Sequence, residues 1–184
     1  MASGLATVVA DTAERPRSFV RRWAPLAFVA APVLALDQWS KLYISSHFRL
    51  YESHPIVPNW LDLTYTLNPG AAFSLFATMP AGFRHVFFIV LSIVATVVLI
   101  ALMARRTTTM LSSIAFALVL GGTVGNLIDR LARGLVIDFI YVHHDSFSYP
   151  VFNVADSAIT IGVAMILLLS WLYGRPSDED AVKP

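Results

Sequence analysis

No cysteine occurs anywhere in the chain. Its absence removes disulfides, thiolate zinc sites and a cysteine nucleophile together, and leaves the redox compartment open. Charge is scarce as well: only 14% of the 184 residues are charged, and the formal net charge is +1. No lysine- and arginine-rich run with interleaved aromatics is present, so nucleic acid is set aside as a partner. The His-Glu-x-x-His signature of zinc proteases is missing. His143-His144-Asp145 reads as a solvated run in a loop rather than as a ligand set, and His47, His54 and His85 are scattered. Internal repeats and low-complexity tracts are lacking too.

What is abundant is apolar sequence, with 57% of residues hydrophobic and a mean hydropathy of +0.66. A soluble domain is less apolar and carries nearly twice the charged share. The composition therefore points to a polytopic membrane protein of one domain. A first helix is expected over 23–44, after a polar tail, 1–22, that ends in Arg15, Arg17, Arg21 and Arg22. A cleavable signal peptide ending at Val33-Leu34-Ala35 is the alternative. Against cleavage, the basic lead-in is long and apolar character resumes beyond Asp37. Apolar runs predict further helices over 83–104, 108–129 and 156–173, each close to the ~20 residues a bilayer requires. The fold class read from this pattern is an all-α bundle of four transmembrane helices.

Residues 45–82 hold no spanning run. Leu61, Leu63 and Tyr65 alternate there with Asp62, Thr64 and Thr66, the period of a half-buried strand, so a small β-sheet platform lying against the membrane is expected. Asn68-Pro69-Gly70 then makes a turn. Residues 130–155 form the second long connection, and 174–184 a polar tail. Lysine and arginine decide the orientation. Eight lie in the two tails and the short 104–107 link, and five in the two long segments with their helix ends. Both termini should then be cytoplasmic, with 45–82 and 130–155 facing outward.

On that orientation several polar residues reach one level. Asp37 lies about 21 Å along the first helix and Asp129 about 30 Å along the third, both towards the outer face. Asp138 follows in the outer segment, and Asp156 opens the fourth helix from that side. Asn126, Asp129 and Arg130 share one helix face by their spacing. Gly121, Gly122 and Gly125 permit close approach of a neighbouring helix. Taken singly, each has a structural reading: Asp156 as a helix N-cap, Arg130 reaching to headgroups. Polar groups gathered at one depth of a membrane chain point instead to a site. Ser40-Lys41 is a poor serine–lysine pair, since consecutive helical residues do not face each other. A transporter subunit using Asp37, Asp129 and Arg130 as a relay would place them near the midplane rather than at the boundary. A structural factor docking a partner helix on the glycines would leave both later aspartate blocks unexplained.

Five blocks, in order, resemble the bacterial lipoprotein signal peptidases, the type II signal peptidase family. They are Asp37-Gln38-Trp39-Ser40-Lys41, Asn68-Pro69-Gly70-Ala71-Ala72-Phe73, Gly121 to Arg130, Val136-Ile137-Asp138-Phe139, and Phe152-Asn153-Val154-Ala155-Asp156. The resemblance implies a multi-pass enzyme of the bacterial inner membrane with its site at the periplasmic face. It implies cleavage of diacylglyceryl-modified prolipoproteins just before the lipidated cysteine, in contact with membrane lipids and without metal or cofactor. Asp138 and Asp156 match the family's catalytic aspartates. Asp37, Lys41, Asn68, Gly70, Asn126, Asp129, Arg130, Asn153 and Ala155 are expected to bind substrate or brace the site. The aromatic segment 141–151 is a candidate lid, and the working unit is expected to be a monomer.

Overall fold

The computed structural model describes residues 23–70, 79–105 and 108–173. The expected cytoplasmic tails, 1–22 and 174–184, lie outside the described residues, as do Ala71-Ala72-Phe73 of the second motif block. Helical chain runs from residue 23 to His47, but not as one regular helix. Residues Leu26–Ala30 form a π turn, in which the Ala31 N–H donates to the Leu26 carbonyl. Pro32 follows directly. It has no N–H for the carbonyl four residues earlier, and the ladder widens where that bond is lost. Helix α1 proper is Ala31–His47.

The next helices are α2, Ala81–Met103, α3, Met110–Arg133, and α4, Val154–Tyr173. By length and composition, these three could each cross a membrane. α3 is the central one. It buries a long stripe from Ser113 to Asp129, whereas α2 and α4 bury three residues each and leave large apolar side chains such as Val97 and Leu167 exposed. Thr109 caps the start of α3, its side chain accepting from the Ser112 N–H. The helix continues one turn past the expected end at Asp129. It stops only where Gly134, at φ 77°, adopts the left-handed conformation and its N–H closes on the Arg130 carbonyl at 3.0 Å.

Four antiparallel strands stand beside this end of the bundle in the order β1-β2-β3-β4: Ser53–Val57, Leu61–Asn68, Val136–His144 and Phe147–Ser148. β2 includes the strand expected over 61–66. β3 was not expected, since 130–155 read only as a connection. Leu63, Tyr65 and Leu67 of β2 pack with Ile137 and Phe139 of β3 against Ile44 of α1, which seats the sheet on the end of that helix. Two hairpin turns place Asn59 and Asp145 at positive φ, which these residue types tolerate, and Asn59 Nδ2 donates to Asp145 Oδ1 at 2.9 Å. His143 and His144 therefore belong to a strand, not a loop: His144 stacks on Trp60 and His143 on Tyr141.

Candidate active site

The β2–β3 register sets Thr66 opposite Asp138, which makes Asn68 the diagonal neighbour on the same face. Asn68 Nδ2 donates to Asp138 Oδ2 at 2.9 Å. The other end of the Asn68 amide accepts from the Gly70 N–H at 2.8 Å, in a turn where Gly70 has φ 99° and a side chain would run into the Phe88 ring. The second carboxylate arrives on α4. Asn153 is the N-cap there, not Asp156. Its Oδ1 accepts from the Asp156 N–H at 2.8 Å, while Asp156 Oδ2 accepts from the Asn153 N–H at 3.2 Å. This reciprocal capping satisfies two orphan donors of the helix and fixes Asp156 three residues in.

Asn153 also ties the two carboxylates together, because its Nδ2 donates to Asp138 Oδ1 at 2.7 Å. Asn126 of α3 completes the set: Nδ2 donates to Asp156 Oδ1 at 2.8 Å and Oδ1 accepts from Lys41 Nζ at 2.9 Å. Three asparagines thus present an N–H to an aspartate, and each has its carbonyl engaged by another donor. An amide held at both ends has only one satisfying orientation.

Below them lies a set of four charges, three buried and the fourth, Arg133, at the surface. Lys41 Nζ sits 2.8 Å from Asp37 Oδ2 and 3.0 Å from Asp129 Oδ2, and all three residues are 0% exposed. Arg133 Nη1 reaches Asp129 Oδ1 at 2.7 Å, which balances the set at two of each sign. The remaining lone pairs are used as well: Asp37 Oδ1 accepts from the Ala155 N–H at 2.9 Å and Asp129 Oδ2 from the Ile137 N–H at 3.2 Å. The set therefore fastens α1 to α3, to the start of β3 and to the start of α4. Gly125 makes the approach possible, since a Cβ there would stand 2.5 Å from Asp37 Oδ2.

Asp138 and Asp156 face one open cavity of about 520 Å³, lined also by Asn68, Phe88, Arg130 and Tyr149. Arg130 lies over the Phe88 ring at 5.1 Å and donates to the Asn126 carbonyl at 3.4 Å. Burial, and then the negative charge of Asp156, push the Asp138 carboxyl up to about 7, against the opposing hydrogen bonds of Asn68 and Asn153 and the charge of Lys41. Among the described residues, no three His, Asp or Glu side chains are grouped as metal ligands would be. The 141–151 segment divides: its first part belongs to β3, and only Tyr149, Pro150 and Val151 line the cavity.

Asp37, Lys41, Asn68, Gly70, Asn126, Asp129, Arg130, Asn153 and Ala155 gather with the two aspartates around this cavity or in the charge set beneath it, whereas Gly121 and Gly122 pack against Ala30 and Ala155 at the helix contacts. Reading the sequence missed Arg133, Gln38 and Thr66. Gln38 Nε2 donates to Asp37 Oδ2 and to the Gly125 carbonyl, both at 3.1 Å, and Thr66 Oγ1 donates to the Asp138 carbonyl at 3.2 Å. Arg133 was findable: it stands four residues after Asp129, a helical pairing distance, had the helix been carried that far.

The same arrangement of elements is known elsewhere. A bacterial membrane enzyme solved by the in meso method at 2.3 Å resolution superposes with a TM-score of 0.72 at 28% identity, over 86% of this chain and 91% of that one. The lipoprotein signal peptidase of Photorhabdus laumondii is 43% identical over 163 residues, 88% of this chain and 93% of its own. That of Syntrophotalea carbinolica is 45% identical over 150 residues, covering 81% and 92%. The family profile described as signal peptidase (SPase) II matches residues 29–172. The chain is a peptidase that belongs to the signal peptidase II family.

Proposed function

We propose that this peptidase removes signal peptides from diacylglyceryl-modified prolipoproteins, cutting before the lipidated cysteine with Asp138 and Asp156 as an aspartyl dyad. The observation that carries the reading is the meeting of the two carboxylates at one cavity, each held by asparagine amides and linked through Asn153. Two buried carboxylates near each other do not both ionise readily, so the pair holds one proton. The ionised member takes a proton from water, whose oxygen adds to the scissile carbonyl carbon. The protonated member donates to the carbonyl oxygen, giving a neutral gem-diol. Collapse returns one hydroxyl proton to the second aspartate, while the first gives its proton to the departing amide nitrogen. The C–N bond breaks and the dyad is back in its starting state. Arg130, which has no carboxylate within ion-pair distance among the described residues, is placed to offer N–H donors to substrate carbonyls.

The helical stretch from residue 23 to His47 serves, in this reading, as a fourth span despite its π turn. Its buried Asp37 and Lys41 face α3 and α4 rather than lipid. Both termini are cytoplasmic by the lysine and arginine distribution, and the cavity opens at the outer face of the inner membrane. A substrate there keeps its acyl chains in the bilayer, held by ~0.8 kcal/mol per buried CH₂, and presents its cysteine amide to the dyad. One polypeptide contains every group the mechanism uses, so a monomer suffices.

The test is cleavage by the purified protein in nanodiscs of one prolipoprotein with and without its diacylglyceryl group. Cleavage of the lipidated form alone is expected. Equal rates would remove the lipid from the specificity, and no cleavage of either by folded protein would end the proposal. A second expectation concerns pH. With the Asp138 carboxyl at about 7, the dyad loses its shared proton as pH rises through that value, so turnover should fall on the alkaline side. A rate that stays flat to pH 9 would contradict a shared proton.

A further inference from the structure

The dyad reading leaves open which aspartate holds the proton, and the hydrogen bonds around the pair are not equivalent. Each carboxylate accepts two donors. Those on Asp138 are the amides of Asn68 and Asn153, whose carbonyls accept from the Gly70 and Asp156 backbone N–H groups. All of these partners are neutral. The donors on Asp156 differ in kind. Oδ2 takes a backbone N–H in the first turn of α4, where unpaired N–H groups and the helix dipole favour a negative charge. Oδ1 takes the Asn126 amide, and the carbonyl of that amide is gripped by the Lys41 ammonium. A cation on the carbonyl end polarises the amide and strengthens its N–H as a donor. It also prevents the amide from turning over, since the flipped form would point an NH₂ group at an ammonium.

We infer that Lys41, acting through Asn126, keeps the charge of the dyad on Asp156 and leaves the shared proton on Asp138. This rests on the dyad reading above and extends it: Asp156 is the base toward water and Asp138 the acid toward the scissile carbonyl. Lys41 touches neither substrate nor reacting atoms. It is a positioning residue that sets the asymmetry of the pair. The other charged or titratable groups facing the pair are Asp37 from α1, Asp129 and Arg130 from α3, and the Tyr149 phenol at the cavity wall. α2 contributes Phe88, which is uncharged.

Two experiments decide it. The first uses the wild-type protein at pH 6. A diazoketone esterifies a protonated carboxyl and an epoxide is opened by a carboxylate, so peptide mapping by mass spectrometry reads the two states separately. The diazoketone is expected on Asp138 and the epoxide on Asp156; the reverse pattern, or the same residue taking both, overturns the inference. The second reads the acid limb of the kcat–pH profile in charge variants of opposite sign. Asp37→Asn leaves Lys41 less compensated and should move the limb to lower pH by about one unit. Adding Lys41→Met to that variant should move it back past the wild-type position, with KM little changed. A purely structural role would lower activity without moving the limb in opposite directions, and unmoved limbs overturn the part assigned to Lys41. Absence of cleavage by folded wild-type protein would count against the proposed function instead, while the labelling would still locate the proton.

Discussion

Asp138→Asn and Asp156→Asn should each lower prolipoprotein cleavage by about 10³–10⁴-fold and leave the protein folded. The size follows from the cycle, in which each carboxylate transfers a proton once in forming the gem-diol and once in its collapse; a positioned acid or base contributes about 10²–10⁴-fold. An amide can neither take the water proton nor deliver one. Folding is expected to survive because Asp138 is not held as a favourable buried anion. Its carboxyl is raised from the usual value near 3.8 to about 7 by burial and by Asp156. Between those values the folded protein keeps a proton that the unfolded chain has released. Stability therefore falls as pH climbs through that window, and asparagine escapes the loss. Against this, an asparagine at 138 turns one N–H toward the Asn68 or Asn153 amide, at a cost of about 1–3 kcal/mol. The melting temperature of Asp138→Asn relative to wild type should thus improve from pH 5 to pH 8. Variants that melt normally and still cut at the wild-type rate would show that the two aspartates only cap and brace.

Much of this arrangement could be read from the residues, for reasons that differ by element. β2 was legible because one face packs on Ile44 and the other stays polar, which writes an alternation into Leu61–Thr66. β3 carries Ile137 and Phe139 on the buried side too, but the buried Asp138 between them breaks the pattern. A carboxylate placed inside disguised the strand that holds it. The end of α3 was misjudged because hydropathy drops at Asp129 and Arg130, whereas the helix stops for a backbone reason at Gly134. Asn153 and Asp156 stand in the N-cap and N3 positions of a capping box, yet the start of α4 was set by the aspartate and not by the amide before it. The partnership of Lys41 with Asn126 and Asp129 was beyond reach. It depends on how closely α1 approaches α3 at Gly125, which spacing along the chain does not encode.

Lys41→Met should be the most damaging single change to stability, by about 3–5 kcal/mol, the cost of removing one partner from a buried ion pair. Methionine fills the same space, so the effect isolates charge from volume. In the folded protein the three N–H donors of the ammonium are matched by Asp37, Asn126 and Asp129. Without them the two carboxylates are unequally stranded. Asp129 keeps Arg133 and the Ile137 N–H, whereas Asp37 keeps only the neutral Gln38 and Ala155 donors and has no cation left. The compensating change is therefore Asp37→Asn, whose Oδ1 can still accept from the Ala155 N–H. Asp129→Asn would instead leave Asp37 uncompensated and deprive Arg133 of its carboxylate. Thermal melts in detergent should show a fall of about 10 °C for Lys41→Met. Most of it should return in Lys41→Met/Asp37→Asn, and little in Lys41→Met/Asp129→Asn. Equal rescue by both would mean that the set responds only to its total charge. A single variant that melts with the wild type would mean that glycine-mediated helix packing, and not the ion set, holds α1 against α3 beneath the dyad.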